Sequence, residues 1–340
     1  MTDEAAFPQG PRTPQPVPAT TSRGTGLRAF IAANQWVLLL ALIVLLGAVT
    51  AVINPRFLDS RNLISILEQS AVLGLVAAGA TLLIIAGNFD ISVGAMIGLA
   101  AVIMAMLVLA GIPEPVAVVV GVLTCVVCSV VNAGLARAFG APTFIVTLAT
   151  AGIFTGIGLA LTQGIIQQVP NDFTFLSRTR LFDAIPLVFI VSLCGYVAVG
   201  LILRYTRMGR RTYAIGDNPR AAFLAGINVT RSTIVLFAIN GLLVGIAAVV
   251  LISRIGSALP STGAGLELRA IGAVVIGGVP ITGGKGGVLG TFLGVLLLGV
   301  ISNMLNMLRI NPFLQEIAFG GLIVVAIGIA ALRSRMEPSR

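Results

Sequence analysis

Residues 70–111 read SAVLGLVAAGATLLIIAGNFDISVGAMIGLAAVIMAMLVLAG. Two apolar runs, 70–87 and 91–111, are joined there by Asn88-Phe89-Asp90, and Asp90 is the only acid between Glu68 and Glu114. A helix needs about 20 apolar residues to cross the hydrocarbon core of a bilayer. Two runs of that order, separated by three residues, are written for lipid. The texture continues outward through apolar runs at 30–53, 115–136, 143–162, 185–203, 232–252, 270–282, 287–308 and 313–332. Of 340 residues, 57% are hydrophobic and 10% charged, where soluble domains carry about 25% charged residues. The expected fold is an all-α polytopic membrane protein with about ten membrane crossings, including one or two broken or re-entrant helices.

The first run is read as a retained span. A signal peptide would have an apolar region of about 7–15 residues ending in a small-x-small cleavage site, and this run is longer and lacks that site. The run at 270–282 is short for a span. The glycines that follow, Gly283, Gly284, Gly286 and Gly287, disfavour regular helix, since each costs about 1 kcal/mol against Ala in a helix interior. Gly87, Ile91, Ser92 and Gly94 are echoed 190 residues later by Gly277, Ile281, Thr282 and Gly284. Transporters often carry repeats with interrupted helices in matching places. Pairs such as Gly152/Gly156 and Gly283/Gly287 have the small-xxx-small spacing that lets helices approach closely in lipid.

Charge fixes an expected orientation. All but one of the 21 basic residues are Arg, Lys285 being the exception. They lie between apolar runs rather than on one solvated face, so the net charge of +9 reads as topology and not as affinity for nucleic acid. Ten crossings with a cytoplasmic N-terminus put Arg12, Arg23, Arg28, Arg137, the arginines from Arg204 to Arg231, Lys285, Arg333, Arg335 and Arg340 inside. Arg56, Arg61, Arg178, Arg180, Arg254, Arg269 and Arg309 fall outside. Basic residues concentrate on cytoplasmic loops, so both ends are expected inside. The implied layout is a disordered basic cytoplasmic tail at 1–28, a transmembrane domain at 29–333 with a cytoplasmic loop at 204–231, and a cytoplasmic tail at 334–340.

Three segments can carry function. The first is the link around Asn88, Asp90 and Ser92, where an acid at membrane depth is costly and marks function, or is held at a helix start with Ser92 as cap. The structural role is preferred. The second is 204–231, with six arginines against one acid, Asp217. Within it, Asn218-Pro219 is a helix start, Ala221 and Ala222 favour helix, and Gly226 is a stop. A short capped helix with small side chains suits a docking knob for a cytoplasmic partner better than a lipid-surface helix. The third is Gly277-Gly278-Val279-Pro280-Ile281-Thr282-Gly283-Gly284-Lys285. It fails as a phosphate loop, because Val279 stands where that motif needs Gly and Lys285 is followed by Gly286. There is no histidine, and Cys125, Cys128 and Cys194 lie inside apolar runs, so no catalytic triad or metal set is expected.

These segments, with Asn62-Leu63, Pro142-x-Phe144-Ile145-Val146-Thr147-Leu148 and Gly209-Arg210-Arg211-x-Tyr213-Ala214-Ile215-Gly216, resemble the permease subunits of bacterial sugar ABC importers. The ribose-type branch is meant, which includes xylose, arabinose, galactose and autoinducer-2 systems, and the resemblance runs from about residue 55 to 333. It implies two permease subunits in the bacterial cytoplasmic membrane, ATP-binding subunits that carry ATP and Mg and dock on the loop helix, and a periplasmic or lipid-anchored solute-binding protein. Arg210, Arg211, Gly216, Asp217, Asn218, Pro219, Ala221, Ala222 and Gly226 would then form the coupling loop. Asn88, Asp90, Ser92, Gly277, Gly278, Thr282, Gly283 and Gly284 would line the pathway or break its helices. The chain itself would bind no cofactor and catalyse nothing. Asn88-Phe89, where many relatives have Gly-Ile, and Lys285-Gly286-Gly287 depart from the family pattern. Nucleoside and branched-chain amino acid carriers share the superfamily. An ion-driven transporter would want more buried ionisable groups than Asp90, and a membrane enzyme would want an acid pair or metal cluster.

Overall fold

A computed structural model describes residues 35–182 and 184–336. The expected tail at 1–28 and the start of the first run lie outside the described residues. Thirteen helices are present among them. They are α1 (Gln35–Ile53), α2 (Ser60–Ile85), α3 (Val93–Leu109), α4 (Glu114–Phe139), α5 (Thr143–Thr162), the single turn α6 (Phe175–Arg178) and α7 (Leu187–Tyr205). There follow α8 (Arg207–Asp217), α9 (Pro219–Leu224), α10 (Val229–Ile255), α11 (Leu266–Ile276), α12 (Val288–Met307) and α13 (Pro312–Met336). The fold is not purely helical. Strands β1 (Gln167–Gln168) and β4 (Ser257–Ala258) pair, as do β2 (Arg180–Leu181) and β3 (Ile185–Pro186), each pair antiparallel.

Among the described residues, seven helices are long and apolar enough to cross a membrane: α1, α2, α4, α5, α7, α10 and α12. Two breaks in the helical run separate α2 from α3 and α11 from α12; α3 has 17 residues and α11 has 11, and neither counts among the seven. α2 starts ten residues before its apolar run because Arg61, Asn62, Glu68 and Gln69 are part of the helix. At the far end α13 extends to Met336, into what was expected to be tail.

α2 and α10 are the axis of the bundle. Of α2's apolar window 83% is buried, against 11% for α1. In lipid there is little hydrophobic drive between helices, so close backbone approach decides packing. One pair that does this is Gly241/Gly245 of α10, where an added Cβ would lie 2.7 Å from the Cys125 carbonyl and 2.8 Å from Val122 Cα on α4; Gly290/Gly294 of α12 approaches the α11 backbone at Gly277 and Ala273 in the same way. Gly152 and Gly156, by contrast, have nothing within 4 Å of such a Cβ. Gly283 and Gly287 belong to a break, not to a helix.

Both breaks begin with the same turn. At α2, Ala86 N donates to Leu82 O, Gly87 N to Ile84 O and Asn88 N to Leu83 O, with Gly87 at φ +73°. At α11, Gly277 N donates to Ala273 O, Gly278 N to Val275 O and Val279 N to Val274 O, with Gly278 at φ +93°. The left-handed glycine lets the chain turn while satisfying the last helical carbonyls. The turns are in register 191 residues apart, Ile85 matching Ile276, so the four-residue echo at 190 is out of register with the structural one. Ser92 ends its link at a helix start, whereas Thr282 sits exposed in mid-loop.

The two ends of the bundle differ. One carries α8 and α9 together with the helix breaks, and the other carries β1–β4 and the 163–186 segment. From that second end the turn 257–265 enters between α3 and α5. Pro260 packs on Gly98 and Gly158, and Gly263 on Gly94, at distances where any Cβ on Gly94 or Gly98 would collide with backbone.

Candidate functional site

Asp90 is 7% exposed and lies where four segments meet. Its Oδ1 accepts from Ser92 N (3.0 Å) and Ser92 Oγ (2.6 Å), and its Oδ2 accepts from Asn240 Nδ2 on α10 (3.1 Å). Asn132 Nδ2 on α4 donates to Ser92 Oγ (2.8 Å), and Ser129 Oγ, one turn away, donates to Phe237 O (2.7 Å). Irregular backbone at membrane depth persists only when protein satisfies its polar groups. Here α5 supplies the rest: Phe89 N donates to Thr143 Oγ1 (3.1 Å) and Ile91 N to Thr147 Oγ1 (3.0 Å). Ser92 does occupy the N-cap position of α3, but its hydroxyl goes to Asp90 and caps no helix N–H. The carboxylate, not the serine, holds the helix start.

Asn88 turns back on its own break, with Nδ2 donating to Ala86 O (3.0 Å). A narrow cleft beside the network is lined by Ala80, Phe89, Asp90, Asn240, Glu267 and Ala270, among others. Glu267 Oε1 accepts from Gly265 N (3.1 Å), while its buried Oε2 has no hydrogen-bond partner among the described residues. Of the expected pathway residues only Asp90 lines this cleft. Gly277 packs on the start of α12 at Gly290, and Gly283 and Gly284 pack elsewhere, as described below. Arg269 is not a loop charge: on α11 it pairs with Glu316 and lies over the Phe319 ring at 4.7 Å.

The cytoplasmic loop expected at 204–231 is a pair of helices. Thr206 caps α8, accepting from Gly209 N (3.1 Å). Asn218 Oδ1 accepts from Arg220 N and Ala221 N, both 3.0 Å, with Pro219 at the first position of α9. Gly226, at φ +81°, follows its end. The start and stop read from sequence are therefore in place, while α8 was not foreseen. Arg210, Arg211, Asp217 and Ala221 are exposed. Ala222 is buried, so the outward apolar surface of α9 is Phe223 (67% exposed) and Leu224 (79%). Gly216 faces inward, against the two breaks. Tyr213 OH donates to Gly286 O (2.9 Å), and burial pushes its phenol above the ordinary value, keeping it a donor.

Sequence reading missed Ser129, Asn132, Asn240, Glu267 and the role of Thr143 and Thr147. Ser129 and Asn132 were detectable as neutral polar residues one turn apart in an apolar run.

A family model described as "Branched-chain amino acid transport system / permease component" matches residues 62–327. The chain belongs to this permease family. The match spans both breaks, α8, α9 and the Asp90 network. The chain is 37% identical over 285 residues to the ribose import permease protein RbsC of Bacillus subtilis, covering 83% of this chain and 88% of that protein. It is 35% identical over 301 residues to the D-allose transport system permease protein AlsC of Escherichia coli, covering 87% and 91%. With the autoinducer 2 import system permease protein LsrC of Shigella flexneri it shares 33% over 305 residues, covering 88% and 87%. No solved structure matches the chain. As a permease component it is a multi-pass membrane transport protein and not an enzyme.

Proposed function

We propose that the chain is the membrane-spanning subunit of an ATP-binding-cassette importer for a ribose-like monosaccharide. The observation that carries the cassette reading is the α8–α9 pair, two capped helices that present Arg210, Arg211, Phe223 and Leu224 to solvent. A positively charged loop needs neither a cap nor an outward Phe-Leu pair. A separate ATP-binding subunit, holding ATP and Mg, docks there. The names of the relatives support a sugar.

In this reading the bundle crosses the bilayer ten times, the short helices α3 and α11 and the terminal α13 each crossing once beside the seven long helices. Both ends and the α8–α9 pair are cytoplasmic, in a bacterial cytoplasmic membrane. The 163–186 end faces outward and receives a solute-binding protein, periplasmic or lipid-anchored. A polar pocket lined by Gln168, Thr174, Ser177 and Arg254 supports a polar partner at that end. A second permease subunit completes the assembly.

Uptake of labelled ribose by cells expressing the full system tests the proposal. Uptake that stops on ATP depletion and survives an uncoupler supports it. Uptake that collapses with the uncoupler and survives ATP depletion contradicts it. Uptake of nucleosides or branched-chain amino acids in place of ribose would keep the ATP-driven mechanism and change the cargo.

A further inference from the structure

Four carbonyls at the C-terminus of any helix lack intrahelical partners. At α2 three of them, Leu82, Leu83 and Ile84, are taken by the turn that follows. The fourth, Ile85 O, accepts from Gly284 N (2.9 Å), which belongs to the other break. Gly283, at φ +81°, brings its Cα so near that an added Cβ would lie 3.0 Å from Gly87 N. The two interrupted helices are thus joined backbone to backbone.

α8 is bolted to the same junction. A Cβ on Gly216 would collide with Ile85 O and lie 2.6 Å from Gly284 N. One on Gly284 would lie 3.0 Å from Asp217 Cα. Tyr213, one turn earlier in α8, reaches the same loop through Gly286 O (2.9 Å). Contacts of this kind have no rotamers to absorb a displacement, whereas long side chains do. Close-packed interiors transmit strain for the same reason.

We propose that Gly216 is a positioning residue that makes α8 and both helix breaks one rigid block. A displacement of α8 then moves the arms of both interrupted helices together, with bending taken up outside the block. This rests on the reading of α8–α9 as the ATPase dock, and sharpens it from a docking surface to a transmission.

A cross-link tests rigidity directly. An added Gly284 Cβ would lie 3.3 Å from Asp217 Cβ, close to the roughly 3.5–4.5 Å that a disulfide spans. The double variant Asp217→Cys/Gly284→Cys, with the exposed Cys194 replaced by Ala, is assembled with its ATP-binding subunits and binding protein in vesicles. Sugar uptake is compared in oxidised and reduced samples. Retention of at least half the reduced rate after complete cross-linking is expected. A fall below half, reversed by reductant, overturns the proposal.

Should the reduced variant fail to assemble, spin labels at the exposed Arg211 and Lys285 replace the cross-link. An unchanged distance between ATP-free and ATP-trapped complexes is expected, and a shift of several ångström overturns the block. Gly216→Ala supplies the functional arm. It should retain its ATP-binding subunits while uptake, and stimulation of ATP hydrolysis by loaded binding protein, fall by about tenfold, an ordinary size for a lost coupling. Wild-type stimulation and uptake in that variant overturn the proposal. Failure of wild-type uptake or of ATPase association would instead count against the functional reading itself.

Discussion

Asp90→Ala separates a structural acid from a solute-contacting one. The substitution removes the acceptor for Ser92 N, Ser92 Oγ and Asn240 Nδ2. The serine hydroxyl can rotate, but the Ser92 N–H cannot leave its position, and the Asn240 amide keeps only a long 3.5 Å bond to Ser129 Oγ. Each buried donor left unmade costs about 1–3 kcal/mol, so the pair costs about 2–6 kcal/mol. Against a total stability of about 5–15 kcal/mol for a folded domain, that is a large fraction. Purified variant in detergent should unfold at a temperature lower by several degrees, and its level in membranes should drop. Asp90→Asn keeps the shape and one acceptor oxygen, so its loss should be smaller. Uptake per folded molecule, and the solute concentration at half-maximal uptake, should change little in either variant. A variant as stable as wild type, but with uptake abolished or half-saturation shifted tenfold or more, would refute the reasoning and make Asp90 a pathway residue.

The other substitutions probe the same joints. Thr147→Val leaves the Ile91 N–H without its acceptor and should destabilise by about 1–3 kcal/mol, read as a lower melting temperature, with Thr147→Ser restoring most of the loss. Gly98→Ala puts a methyl group 2.7 Å from Pro260 C and should cost about 1–3 kcal/mol as overpacking. Gly152→Ala, with open space around it, should lie within about 0.5 kcal/mol of wild type in the same melt. Asn218→Ala removes the cap of α9 at about 0.5–2 kcal/mol, and should weaken ATPase association in co-purification without lowering the permease level in membranes.

The long helices were legible because lipid imposes one rule on every span: some 20 apolar residues in an unbroken helix. Thr143–Thr162 was read with its observed ends, and the α9 cap at Asn218 and stop at Gly226 were read correctly, since caps are local. α2 was cut short because Arg61, Asn62 and Glu68 are polar yet helical, and a hydropathy window stops at them. α8 went unread because its apolar residues are few and its packing rests on Gly209 and Gly216, which propensity counts against a helix. The depth of the 257–265 turn was invisible as well. Its place depends on Gly94, Gly98 and Gly158, more than a hundred residues earlier, each lacking a side chain where the turn passes.

The Asp90 network shows the same division. The acid and its neighbour Ser92 stood out in the quoted stretch, and their mutual hydrogen bond is two residues long. Asn240 lies 150 residues away, and only the packing of α10 against α4 brings it to the carboxylate. Gly216 was chosen as part of a loop that meets a partner, but it faces inward. Its lack of a side chain serves a contact with Ile85 and Gly284 that no local pattern announces.

The central claim is that α8 and α9 receive the driving force from another polypeptide. Phe223 and Leu224, exposed on α9, are its most direct probe. The measurement is the recovery of ATP-binding subunits with the purified permease carrying Phe223→Asp and Leu224→Asp, at equal permease loading. The account predicts that the ATP-binding subunits are lost while the permease stays folded in the membrane. Full recovery of those subunits together with wild-type uptake would contradict it.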